Sequence, residues 1–179
     1  FFQDSIYVAL STSEPNATIR FTTNGSEPTS NSQIYTTPIK ITATTVLKAV
    51  TFSSNSLILR SFVQFNTYFI NDTHHLPVVS IGSAQVEDLA NGNQDLRPQG
   101  SIEYFDTDGD RKTRAYGELN SHGQDSWVNN QRSVDWVTRD EMGYNNGLKK
   151  KIFSGSERDS YQRIILRAAG DDNYPDASN

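Results

Sequence analysis

The sequence has 179 residues, a formal net charge of −5 and a pI near 5.1, and it contains no cysteine. The acidic balance argues against nucleic acid or an anionic membrane surface as the main partner. The lack of cysteine excludes disulfides and thiolate metal sites, and no run approaches the roughly 18 apolar residues of a transmembrane helix.

Residues 1–70 are poor in charge and consist of short alternating runs separated by turn residues. Apolar and polar side chains alternate with the period of half-buried strands in residues 5–10, 17–22, 45–52 and 57–70. Asn24-Gly25 favours a hairpin, because both central positions of a type I′ turn need positive φ. No segment has a 3.6-residue apolar stripe, so the pattern predicts a small antiparallel β-sandwich.

The run Ala-Thr-Ile-Arg-Phe-Thr-Thr-Asn-Gly-Ser-Glu-Pro-Thr occupies residues 17–29, and Tyr35, Pro38, Ile39 and the segment 47–49 follow it. Together these residues resemble the immunoglobulin-like module at the C-terminus of chitobiases and hexosaminidases. The resemblance covers nearly all of residues 1–70 and implies an immunoglobulin-like fold in an extracytoplasmic setting. It carries no catalytic residue, because the chemistry of those enzymes belongs to another domain.

A polar stretch at residues 71–75, Asn-Asp-Thr-His-His, is the predicted linker to a second domain at residues 76–179. Residues 76–81, Leu-Pro-Val-Val-Ser-Ile, are typical of the strand that opens this domain. Residues 85–90 form one short predicted helix, and Asp108-Gly109 indicates a hairpin turn. Adjacent His74 and His75 point to opposite sides of an extended chain, so a solvated linker is favoured over a metal site.

Two further strands are predicted near the C-terminus, at residues 133–139 and 163–167. The first alternates Val134, Trp136 and Thr138 with more polar positions, so core packing is the expectation for Trp136. Glycines and asparagines at 142–147 indicate a turn. Three consecutive lysines follow, and they fit a solvated surface as well as a phosphate grip: Lys149, Lys150 and Lys151.

The second domain resembles the CotH-type, spore-coat kinase-like proteins and their secreted bacterial relatives. In that family a Gly, His-Gly and Ser block precedes a Lys-Ser strand, a Tyr-Gly turn, a Phe segment and Leu-Arg-x-x-Gly-x-Asp. The counterparts here are Gly117, His122, Gly123, Ser126, Arg132, Ser133, Gly143, Tyr144, Phe153, Leu166, Arg167, Gly170, Asp171 and Asp172. One departure is that arginine replaces the lysine of Lys-Ser, which keeps the charge but changes a point donor to a planar fork.

The resemblance implies an α+β kinase-like domain of which residues 76–179 are the incomplete N-terminal part. It implies ATP and Mg²⁺ as cofactors of the intact protein. The nucleotide-binding candidates are His122, Ser126, Arg132 and Arg167, and the metal candidates are Asp171 and Asp172. Asp171 and Asp172 fit a solvated loop or a cap equally well.

Other chemistries fit the residues less well. Asp106 to Asp110 carries alternating carboxylates, but its glycine does not have the spacing of a calcium loop, so a hairpin is favoured. A hydrolase triad of Ser126, His122 and Asp171 lacks the Gly-x-Ser-x-Gly elbow, and a turn histidine is favoured over a catalytic one. Aromatic side chains such as Trp127, Trp136 and Tyr144 would suit a sugar platform if exposed, and core packing is the default for a tryptophan on an alternating strand.

Two functions stay open at this stage. The first is an exported or cell-surface protein whose intact form is an atypical ATP- and Mg²⁺-dependent protein kinase. The second is a non-catalytic adhesion or carbohydrate-binding protein in which the sandwich is a spacer, and the scarcity of ATP outside the inner membrane favours it. The expected partners are a cell surface, a glycan or export machinery.

Overall fold

The computed structural model describes residues 1–123, 127 and 132–168, which form antiparallel sheets and one short helix. The first six strands are β1 (Ile6–Val8), β2 (Thr18–Thr22), β3 (Gln33–Ile34), β4 (Ile39–Ile41), β5 (Thr45–Phe52) and β6 (Gln64–Tyr68). There follow β7 (Val78–Gly82), α1 (Val86–Ala90), β8 (Gln99–Phe105), β9 (Arg111–His122) and β10 (Ser133–Val137). Last come a 3₁₀ turn (Asp140–Met142), β11 (Leu148–Lys149), β12 (Ser160–Tyr161) and β13 (Arg163–Leu166).

The N-terminal strands form a four-stranded sheet in the order β3-β2-β5-β6 and a two-stranded sheet of β1 and β4. All pairs are antiparallel. The apolar positions of the alternating runs meet in one core made by Val8, Phe21, Ile41, Leu47 and Ile70. The prediction of a mainly β, antiparallel fold is therefore confirmed, and the arrangement is consistent with a β-sandwich; we call β1–β6 the sandwich.

The tight turn predicted at Asn24-Gly25 is wrong in type. Only Gly25 of the pair has positive φ, at +76°, and ten residues separate β2 from β3. A Cβ on Gly25 would lie 3.3 Å from the backbone nitrogen of Ser83. The glycine thus allows the loop to pack closely against the end of β7, a tertiary contact that local turn chemistry does not reveal.

The later strands form a second sheet in the order β13-β10-β9-β8-β7, with antiparallel pairing throughout. Helix α1 packs its buried Leu89 into a core with Ile102, Leu119 and Trp136. The predicted hairpin at Asp108-Gly109 is confirmed, with Gly109 at φ +80° between β8 and β9. A separate small sheet pairs β11 with β12.

The carboxylates of this hairpin are held by a lysine. Lys112 Nζ lies 2.6 Å from Asp108 and 3.3 Å from Asp110. In the residues that the structure describes, no group of three acidic or histidine side chains is arranged to hold a metal ion. The ion pairs of Lys112 with Asp108 and Asp110 lie within the hairpin and neutralise part of its negative charge.

The sandwich and the second sheet meet through two buried charged side chains. Lys48 is fully buried, its ammonium donates to the Gly82 carbonyl at 2.7 Å, and it lies 5.0 Å from the Tyr116 ring centroid. Glu103 is also fully buried and accepts a hydrogen bond from Thr67 at 2.5 Å. Each charge thus comes from one unit and is satisfied by the other, because a buried charge is costly unless it is paired or hydrogen-bonded.

The segment between the two units carries the two adjacent histidines. His74 makes edge contacts with the rings of Phe1 and Phe69, with centroids 5.6 Å away in each case. The division into residues 1–70, 71–75 and 76–179 stays a prediction. No helix of the described residues is long and apolar enough to cross a membrane.

We expect the substitution Lys48→Met to remove a pH dependence of stability. Burial lowers the pKa of Lys48 from 10.5 to about 8, against the opposing charge of Glu27. Between these values the unfolded chain binds more protons than the folded one, so the free energy of unfolding of the wild type rises with pH. The full rise is about 3 kcal/mol for this group, and urea titrations from pH 7 to pH 10 measure it.

The matched control is Lys40→Met, which removes the same charge from an exposed position of the sandwich. The control keeps the wild-type slope, whereas Lys48→Met flattens it. Equal pH slopes in the wild type and Lys48→Met would contradict this account of the buried ammonium.

Candidate functional site

Polar side chains of three neighbouring strands, β9, β10 and β13, lie on one face of the second sheet, because side chains alternate between the two faces along each strand. Asp135 in β10 lies opposite Asn120 of β9, and Ser133 lies opposite His122. On the other side of β10, Val137 lies opposite Arg163 of β13. Because side chains two residues apart share a face, these strands present one continuous surface. We call it the polar face: Glu118, Asn120, His122, Ser133, Asp135, Arg163 and Arg167.

The opposite face of the same strands is core, which fixes the orientation of the polar face. Trp136 and Leu119 are fully buried and lie opposite each other in the register. A Cβ on Gly117 would lie 2.6 Å from Trp136 Nε1 and 2.4 Å from the Val137 carbonyl oxygen. Only glycine therefore fits beneath the tryptophan, and a register slip of one residue would bury Asp135 in the core instead.

Asp135 is the centre of the polar face. It is 5% exposed, and its Oδ2 accepts a hydrogen bond from Arg163 and lies 3.2 Å from His122 Nδ1. The hydrogen bond to Asp135 and the attraction of its charge raise the pKa of Arg163. The second carboxylate oxygen, Oδ1, is buried and has no hydrogen-bond partner among the residues that the structure describes. Buried polar atoms are nearly always hydrogen-bonded, so this oxygen can accept a hydrogen bond from a ligand.

A cavity of about 460 Å³ opens beside this oxygen. Its walls carry two arginines and three carboxylates, so both signs of charge are present: Glu118, Asn120, Asp135, Val137, Arg139, Glu141, Met142 and Arg163. The arginines present planar donors for phosphate or carboxylate groups. The cavity is thus suited to a polar ligand that carries both an anionic group and a hydrogen-bond donor.

Two of the four predicted nucleotide-binding residues lie on the polar face. His122 ends β9 beside Asp135, and Arg167 follows β13 with the alternation of Arg163. Ala168 donates its backbone N–H to Ser133 Oγ at 3.0 Å, which holds the end of β13 against β10. The structure therefore brings His122 and Arg167 together, on either side of Ser133.

Arg132 is not among the residues of the polar face, and its guanidinium donates hydrogen bonds to two backbone carbonyls. Its Nη1 donates to the Ala90 carbonyl at 3.0 Å, and its Nε donates to the Trp127 carbonyl at 3.2 Å. Its guanidinium also lies 5.8 Å from the centroid of the Trp127 ring. These contacts tie the end of α1 to the start of β10, so Arg132 has a stabilising role in this structure.

The remaining predicted residues either lie outside the described residues or have other contacts. Ser126, Asp171 and Asp172 lie outside the described residues, so their nucleotide and metal roles stay predictions. Lys151 pairs with Glu157 at 3.1 Å, and the backbone of Lys149 donates to Thr113 Oγ1 at 2.9 Å. Among the described residues, neither lysine lines the cavity of the polar face.

Sequence reasoning missed Asp135, Asn120 and Arg163. The only available signal was that Asp135 lies between Val134 and Trp136 on an alternating strand, which places it on the face opposite the tryptophan. Its register partner Asn120 is 15 residues away in sequence, and its ion-pair partner Arg163 is 28 residues away. Pairing of this kind cannot be read from one sequence.

Comparison with known proteins gives one match. Residues 1–57 match the family model described as chitobiase/beta-hexosaminidase C-terminal domain, which covers 57 of the 179 residues. This agrees with the resemblance drawn from the strand and turn residues of that region. No curated protein and no solved structure matches the chain.

We expect Gly117→Ala to destabilise the second sheet by about 3 kcal/mol, because the methyl group must displace a backbone carbonyl and the Trp136 ring. Urea unfolding followed by tryptophan fluorescence measures the loss, since Trp127 and Trp136 are both buried. Gly155→Ala is the matched control, because a Cβ there meets nothing within 4 Å. Equal midpoints for the two variants would contradict the close packing of Trp136 on Gly117.

Proposed function

We propose that the chain is part of an exported or cell-surface bacterial protein whose second unit is the opening part of a CotH-like, kinase-like α+β domain. We further propose that the polar face binds the nucleotide of this domain. The match of residues 1–57 to the chitobiase/beta-hexosaminidase C-terminal domain supports an extracellular setting, because domains of this type are found in extracellular glycosidases. The order of the motif residues from Gly117 to Asp172 supports the kinase-like assignment.

The observation that carries nucleotide binding is the buried Oδ1 of Asp135, which has no partner among the described residues and lies in a cavity lined by two arginines. A nucleotide offers hydroxyl and amine donors for this oxygen and phosphate oxygens for guanidinium groups. Arg163 and Arg139 line the cavity, and Arg167 continues the row along β13. Catalysis of phosphoryl transfer depends mainly on positioning and on neutralising charge, and these arginines supply positive charge where β9, β10 and β13 meet.

Magnesium is assigned to residues that follow β13. Asp171 and Asp172 are hard oxygen ligands after a glycine, and Mg²⁺ is commonly bound by one or two carboxylates together with phosphate oxygens. In the intact protein the ion would neutralise phosphate charge. The described residues themselves bind and orient: Asp135 accepts from the ligand, and Arg163 holds Asp135 in place.

A nucleotide titration tests the proposal. Calorimetry of the full chain with Mg²⁺-ATP is expected to give saturable binding, and Arg167→Met is expected to weaken it about tenfold, the cost of one charge-assisted contact. Lys40→Met is the control, since it removes an equal charge from the exposed side of the sandwich. No binding at millimolar nucleotide, or equal weakening by both variants, would sink the proposal.

The same experiment separates ligand contacts from structural ones. Arg132→Met is expected to lower the melting temperature, because it leaves the Ala90 and Trp127 carbonyls without their donor. At a temperature where the variant remains folded, its affinity for nucleotide is expected to equal that of the wild type. A loss of affinity without a loss of stability would reassign Arg132 to the ligand.

A further inference from the structure

A second concave surface lies where the sandwich meets the second sheet, and it is independent of the nucleotide proposal. It consists of two neighbouring pockets of about 300 Å³ and about 90 Å³ that share Val63 and Tyr116 in their walls. We call this surface the seam groove. Further lining residues come from both units, among them Glu27, Phe62 and Gln64 of the sandwich and Arg114, Tyr144 and Asn145 of the second unit.

Two aromatic rings, one from each unit, meet at this groove. Phe62 precedes β6, Tyr144 follows the 3₁₀ turn, and their rings meet edge to face with centroids 4.8 Å apart. Tyr144 is 76% exposed and Phe62 is 39% exposed, which is unusual for rings in a pair. Gly143 at φ +150° and a hydrogen bond from Asn145 Nδ2 to the Arg114 carbonyl at 3.1 Å position the tyrosine. The ring is thus held open to solvent by the structure around it.

The charges of the groove are largely cancelled or already engaged. Glu27 pairs with Arg60 at 2.6 Å through one oxygen and accepts from the Tyr116 hydroxyl at 3.0 Å through the other. Arg114 is committed to the Phe65 carbonyl and to Asn66. Asn145 Nδ2 already donates to the Arg114 carbonyl, and Gln64 Oε1 accepts from Arg114 at 3.4 Å. The groups of the described residues left for a ligand are the Gln99 amide, the other amide atoms of Gln64 and Asn145, the Glu141 carboxylate and the exposed ring of Tyr144. This combination suits a neutral ligand with many hydroxyl groups and apolar C–H faces, because stacking covers the C–H face and amides pair with hydroxyls.

An extended peptide is the main competing occupant, and the backbone disfavours it. Adding a peptide strand requires free carbonyl and N–H groups on a sheet edge. The outer edge of β6 runs past the groove, but its Phe65 carbonyl accepts from the Arg114 guanidinium. An anionic ligand is disfavoured as well, because the guanidinium groups of the groove are already paired.

We propose that the seam groove is a binding site for a neutral oligosaccharide, with the exposed ring of Tyr144 as its stacking surface and Phe62 packed against that ring edge to face. The site exists only while the two units are docked, since each supplies one ring. Ligand and nucleotide would occupy different places: the nucleotide cavity is centred on Asp135, and only Glu141 and Met142 line both.

Calorimetry with a panel of soluble neutral hexose and N-acetylhexosamine oligomers tests the site on the full chain. At least one oligomer is expected to bind at millimolar concentration, and Tyr144→Ala is expected to weaken it about tenfold. Tyr144→Phe keeps the ring and is expected to retain most of the affinity. Tyr7→Ala is the matched control, because Tyr7 is 65% exposed on the sandwich and lies outside the groove.

The outcomes distinguish the two sites. Arg167→Met is expected to leave oligosaccharide binding unchanged, so failure of nucleotide binding does not remove this proposal. Absence of binding across the panel would overturn it, as would equal affinities of wild type and Tyr144→Ala. Binding of an unstructured peptide that Tyr144→Ala abolishes, without any oligosaccharide binding, would overturn the ligand class.

Discussion

The placement of both candidate sites depends on two buried charged side chains, each of which is hydrogen-bonded across the boundary between the sandwich and the second sheet. Lys48 reaches out of the sandwich to the Gly82 carbonyl, and Glu103 reaches back to Thr67. Arg111 completes the arrangement by pairing with Glu103 at 2.8 Å. Separation of the units would break the Lys48–Gly82 and Glu103–Thr67 hydrogen bonds, leave Glu103 with Arg111 of its own unit, and expose apolar surface to water. The two units are therefore expected to behave as one body.

Because the sandwich covers only part of strand β9, one face of this strand is covered in its first part and open in its second part. Strand β9 has 12 residues, and side chains at alternate positions share the face that looks towards the sandwich. Its first part, with Arg114 and Tyr116, is covered by the sandwich. Its second part, with Asn120 and His122, continues past the sandwich and belongs to the polar face. The covered part of the sheet face contains the Lys48 ammonium, which is hydrogen-bonded to the Gly82 carbonyl. The uncovered part contains Asp135 Oδ1, which has no partner among the described residues.

Sequence reasoning predicted the elements that depend on local patterns. The alternating runs gave β5 at its observed bounds, and the glycine turn gave the β8–β9 hairpin. It missed what depends on strand pairing, such as the approach of Arg163 to Asp135 across 28 residues of sequence. Arg132 shows the same limit, because motif position suggested phosphate chemistry while the fold directs its guanidinium to two backbone carbonyls. Local pattern specifies which face a side chain takes, and only the register specifies its neighbours.

The 3₁₀ turn at Asp140–Met142 gives the two sites a physical connection. Glu141 and Met142 line the nucleotide cavity on one side and the seam groove on the other. The turn is followed directly by Gly143 and Tyr144, so one backbone segment joins the wall of the cavity beside Asp135 to the exposed ring of the seam groove. Coupling between sites requires such a shared element with differential contacts to both ligands. The turn is therefore the described segment through which ligand binding at one proposed site would be transmitted to the other.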